Sequence, residues 1–94
     1  MKFFKLTREK PTTGFITIRP DEEIKIINIS PDVPLVIEFS TTDGISESID
    51  LTDEISLQNS ASYLRRSYFR LEVMIADPKS LSYTKEVHCK INIY

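Results

Sequence analysis

The chain holds one cysteine and one histidine, and they stand side by side as His88-Cys89. A thiolate–imidazolium couple needs both side chains on one surface, with the base in hydrogen-bond reach of the nucleophile. Around them Val87, Cys89, Ile91 and Ile93 alternate with Glu86, His88, Lys90 and Asn92. That is the period of an extended strand, whose neighbouring side chains point to opposite faces. The pattern predicts a core thiol and a surface imidazole, and no catalytic residue is assigned. There is no Gly-x-Ser-x-Gly elbow, and two glycines, Gly14 and Gly44, cannot form a glycine-rich phosphate loop.

Metal chemistry has little more to work with. One Cys and one His do not supply a structural zinc set. Carboxylates gather as Asp21-Glu22-Glu23 and as Asp43, Glu47, Asp50, Asp53 and Glu54. Neither run has the alternating ligand spacing, closed by glycine, of a calcium loop. Turn and surface positions account for both runs, so no metal and no cofactor is expected, although spacing does not decide calcium binding at 43–54. Paired carboxylates can also hydrolyse glycosides, but only across a cleft, and a chain of 94 residues spends most of its apolar side chains on one core. The expectation is a protein that is not an enzyme.

One segment interleaves cations with aromatics: Tyr63-Leu64-Arg65-Arg66-Ser67-Tyr68-Phe69-Arg70. On a barrel face of the OB type, Tyr63 can stack bases while Arg65, Arg66 and Arg70 neutralise phosphates, which makes single-stranded nucleic acid the alternative reading. Against it stands a net charge of −2, where such proteins usually carry a clearly basic domain. Charge is also uneven along the chain: residues 1–20 sum to +4, 21–54 to −9 and 55–94 to +3. Such blocks can steer association, although strands distant in sequence interleave in space.

The elements that must position these residues are strands. The apolar set is rich in Ile and Phe with only two Ala, and a period of two recurs at short intervals, broken by Pro, Gly, Asp and Ser clusters. Strands are expected near 2–7, 14–19, 23–30, 35–41, 45–51, 54–58, 67–76 and 83–93. The stretch Leu57–Leu64 is the weakest of them and the one place for a helical turn. This makes one domain, 1–94, of all-β class: an antiparallel sandwich of about seven or eight strands, Ig-like or jelly-roll, with a partly open barrel as the alternative.

Registers follow from matching apolar faces. Phe69, Leu71, Val73 and Ile75 suit a hairpin with the last strand around Asp77-Pro78. Pairing Leu35 with Leu51 and Ile37 with Ile49 leaves a three-residue loop with Gly44 in the left-handed position. A two-residue turn would set Ile37 against Asp50 and drive a carboxylate into the core. Ile24 and Ile26 share one phase while Ile27 and Ile29 take the other, which suggests a bulge or a strand covered on both faces.

Face assignment then leaves Tyr68, Met74, Val36 and Tyr94 pointing outward, with Phe3 or Ile16 as further members. A contiguous patch of such residues marks a protein contact, and a final strand ending at Asn92-Ile93-Tyr94 offers an edge for another subunit. The expected function is a non-enzymatic interaction or structural module, self-associating into a homo-oligomer. Its compact, Ile-rich character suits a phage or viral accessory or particle protein. No signal-peptide core or membrane-length apolar run occurs, so the cytoplasm is expected and a membrane partner is not.

Overall fold

The computed structural model describes residues 2–19, 22–41, 46–58 and 69–93. Its strands are β1 (Lys2–Leu6), β2 (Ile16–Ile18), β3 (Glu23–Asn28), β4 (Leu35–Thr41), β5 (Ser46–Leu51), β6 (Glu54–Gln58), β7 (Phe69–Ile75) and β8 (Val87–Ile93). They form two antiparallel four-stranded sheets, the first in the order β1-β8-β3-β6 and the second in the order β2-β7-β4-β5. The pairs β4·β5, β3·β6, β2·β7 and β1·β8 nest inside one another, so the chain is a long hairpin rolled up with its halves shared between two sheets. This strand order is the eight-stranded jelly roll, which leaves neither a closed barrel nor the Ig arrangement.

Each sheet turns one apolar face inward. Leu6, Ile24, Ile26, Val87, Cys89 and Ile91 of the first sheet meet Ile18, Leu35, Ile37, Leu51, Leu71, Val73 and Ile75 of the second, all buried. Phe4, Ile16, Ile49 and Ile55 extend this layer toward the edges, half-covered. Ile16 therefore belongs to the core margin and not to the outer surface.

The β4·β5 register is Leu35 opposite Leu51 and Ile37 opposite Ile49, as the apolar matching required. The loop itself, with Gly44, lies outside the described residues. So do 59–68, and with them most of the stretch in which a helical turn was expected; the turn that is described is a short 3-10 turn at Pro78–Ser80.

Four local expectations are corrected. β7 and β8 do not form a hairpin: β7 lies between β2 and β4 in the second sheet, while β8 lies between β1 and β3 in the first. Residues 76–86 cross from one sheet to the other, turning at Pro78–Ser80 and again where the Lys85 N–H donates to the Ser82 carbonyl. This is why β8 starts at Val87 and not near residue 83. Nor is β8 an edge; the edges are β1 and β6 in one sheet, β2 and β5 in the other. Finally, β3 is neither bulged nor covered on both sides. It runs in regular register with β6 and β8, and Ile27 and Ile29 simply face outward, Ile29 exposed.

The bulge of this fold sits elsewhere. Thr12 lies opposite Met74 and Ile16 opposite Leu71, so the β2 side carries one residue more than β7 between them. Gly14, at φ +78, absorbs the extra residue in the left-handed region where a side chain would be strained.

Asn28 is the one buried polar side chain among the described residues. It occupies an inward position of β3, where burial is favourable only with its hydrogen bonds made. Its Nδ2 donates to the carbonyls of Val33 (2.9 Å) and Thr52 (3.3 Å), and its Oδ1 accepts from the Ser30 N–H (3.0 Å). One amide thereby ties the β3–β4 connection to the β5–β6 turn. Arg8 ties the β1–β2 connection to the β7–β8 connection in a similar way, donating to the Leu81 carbonyl with its guanidinium 4.4 Å from the Tyr83 ring centroid. Replacing Asn28 by Ala strands the Ser30 N–H and the Val33 carbonyl. The expected cost is about 2–3 kcal/mol, a fall in Tm on the order of 10 to 20 °C by calorimetry. A loss below about 0.5 kcal/mol, the range of an ordinary surface substitution, would show the amide to be dispensable.

Candidate functional site

The alternation that builds β8 also separates its two reactive side chains. Cys89 is fully buried against the opposite sheet, and burial pushes its thiol up to about 11. His88 faces outward, its Nε2 3.8 Å from Glu86 Oε1. Among the described residues no base is buried beside the thiol, and its raised pKa keeps it protonated and unreactive at neutral pH. Among the described residues no three His, Cys, Asp or Glu side chains gather as a metal site. Asp21 and Asp43 lie outside those residues.

What remains are the two outer faces. On the second sheet, Val36 and Met74 are direct cross-strand partners, half-buried, with Asp50 on the far side of Val36 and Thr12 beyond Met74. The structure thus brings together two of the residues expected at an interface. Tyr68 and Tyr94 lie outside the described residues. Phe15, which sequence reasoning missed, is 68% exposed and joins this face, the Arg70 guanidinium standing 4.3 Å from its ring centroid. The signal was weak, because only the Gly14 bulge fixes the phase of the short strand that follows.

Between these apolar residues Glu38 lies directly opposite Glu72. Like charges in that position are destabilising. The bond that relieves them is a donation from Thr12 Oγ1 to Glu72 Oε2 at 3.1 Å, and no cation lies within ion-pair distance of either among the described residues. Arg70 is the described member of the expected nucleic-acid set; Tyr63, Arg65 and Arg66 lie outside. It shares its face with Glu38, Asp50 and Glu72, a poor setting for phosphate.

The outer face of the first sheet has a different character. Phe3, Lys90, Ile27 and Glu54 form one cross-strand row over β1, β8, β3 and β6. Phe3 is 66% exposed, with the Lys90 ammonium 5.7 Å from its ring centroid. Lys5 pairs with Glu86 at 3.4 Å and Lys25 with Glu54 at 2.6 Å. Comparison with protein-family models, curated proteins and solved structures finds no match. No helix among the described residues is long and apolar enough to cross a membrane.

Two measurements check this geometry. Because the folded thiol holds its proton up to about 11 and the unfolded thiol only to about 9, the unfolded state binds fewer protons between them. Stability should therefore be insensitive to Cys89 below pH 9 and fall as pH rises toward 11, by at most about 1.4 kcal/mol per unit, a slope that Cys89→Ala removes. An identical alkaline slope in both proteins would place the thiol in contact with solvent. Separately, Glu38→Gln should raise stability by about 0.2–1 kcal/mol in chemical denaturation, by relieving the pair with Glu72; a loss would mean that Glu38 has a stabilising partner.

Proposed function

We propose that this chain is a non-enzymatic interaction or structural module that associates with copies of itself. The observation that carries the reading is the meeting of Val36 and Met74 as cross-strand neighbours on the second sheet's outer face, with Phe15 exposed and the Glu38–Glu72 pair beside them, which no cation among the described residues meets at ion-pair distance. Apolar groups contiguous with unpaired charge are what an interface provides. A face evolved only for solubility has no reason to hold two carboxylates opposite each other at a cost to stability, whereas a face with a function does.

The chemistry of the molecule supports the same reading. Its thiol is buried and protonated, its imidazole is on the other side of the strand, and its arginine at residue 70 sits among carboxylates. Jelly rolls are used by capsid and lectin domains, among others, so a role as a particle component is consistent with the architecture, an analogy of fold alone.

Light scattering across a concentration series tests the proposal. The mass of the wild-type protein is expected to rise with concentration, and Met74→Lys, which sets a charge beside Val36, should return it to the monomer without changing the melting transition of the dilute protein. A monomer at every concentration, in both proteins, would dispose of the reading.

A further inference from the structure

We infer that the association is head to tail, the outer face of the first sheet in one copy seating on the outer face of the second sheet in the next. This rests on the self-association proposed above and names its two surfaces.

The two outer faces are complementary in charge at their centres. Lys5 and Lys25 are compensated within the chain by Glu86 and Glu54. Lys90 is not: among the described residues no carboxylate lies within ion-pair distance of it, and its contact is the Phe3 ring. It stands on the interior strand β8 with Phe3 on one side and Ile27 on the other, a cation set between apolar groups. The second sheet presents the converse at its own centre, the Glu38–Glu72 pair on β4 and β7 next to the Val36–Met74 pair. The ammonium at the centre of one face complements the carboxylate pair at the centre of the other, and both are flanked by apolar groups that lose water when covered.

The same charges disfavour symmetric contacts. A two-fold contact between two second sheets brings Glu38 and Glu72 against the same carboxylates of the partner, and one between two first sheets sets Lys90 against Lys90. The mixed contact joins opposite signs at both centres, while Arg70 of the second sheet is engaged with the Phe15 ring and Glu54 and Glu86 of the first with Lys25 and Lys5. Such an interface is heterologous: every copy added leaves one face of each kind free, so the product is a ring or an open filament and not a closed dimer.

Charge reversal followed by sedimentation velocity tests this. Wild-type protein should form species larger than a dimer as concentration rises, and raising the salt should weaken them. Lys90→Glu and Glu72→Lys should each reduce association at least tenfold. An equimolar mixture of the two should associate again, because the intact second sheet of the first variant meets the intact first sheet of the second. The Lys90→Glu, Glu72→Lys double variant should also regain self-association. Glu38→Lys and Lys90→Gln repeat the test at neighbouring chemistry, and melting curves establish that each variant is folded. Association that survives Lys90→Glu but is lost in Met74→Lys overturns the head-to-tail arrangement while leaving self-association standing. A wild-type monomer overturns both.

Discussion

The jelly roll is held by one requirement: two sheets, each apolar on a single face, must cover each other. Ile26, Ile37, Leu71, Val73, Val87 and Cys89 are all within 0–2% of complete burial, and they come from both sheets. No pair of neighbouring strands within one sheet can bury them, because side chains on one face of a sheet stand beside each other and need an opposing layer. Consecutive strands accordingly alternate between sheets everywhere except at β4 and β5, the innermost hairpin. Each outer level of the nesting joins residues further apart in the chain, up to Lys2 with Ile91. Closing such long loops costs entropy before any contact rewards it, so the shared core is what makes the outer pairings stable.

Alternating sheets leaves connections that must cross the ends of the sandwich, and there the polar bonds matter. Asn28, Arg8 and the Asp32–Lys85 pair (3.2 Å) join the β1–β2, β3–β4, β5–β6 and β7–β8 connections at one end. A buried amide fully bonded to three backbone groups specifies where those connections run, since any other path would leave its polar atoms unpaired. Val33 and Leu81, both nearly buried, close the apolar layer beneath them.

The outer faces are the part of the molecule free to serve something other than folding, and they diverge. One carries Lys90 between Phe3 and Ile27; the other carries two carboxylates beside Val36 and Met74. The acidic middle of the sequence does not form a single acidic surface. Glu38 and Asp50 fall on the second sheet, while Glu54 crosses to the first and is neutralised by Lys25. Charge that is blocked in sequence is thus redistributed by the topology into two faces of different sign at their centres.

What was legible in the sequence was whatever depends on neighbours along the chain. The all-β class, most strands to within a residue or two, the opposite facing of His88 and Cys89, and the Leu35–Leu51 register all follow from a period of two or from one short loop. Asn28 sits in phase with Ile24 and Ile26, but as a polar residue it gave no sign of being buried, because only its partners at Val33 and Thr52 make burial tolerable. The choice of β1 and not β7 as the neighbour of β8, the interior place of the supposed edge strand β8, the exposed Phe15 over Arg70 and the meeting of Val36 with Met74 were decided by tertiary structure alone. Periodicity fixes which way a side chain points; which strand lies beside it is determined by the packing of two sheets on one core, a constraint that acts between residues tens of positions apart.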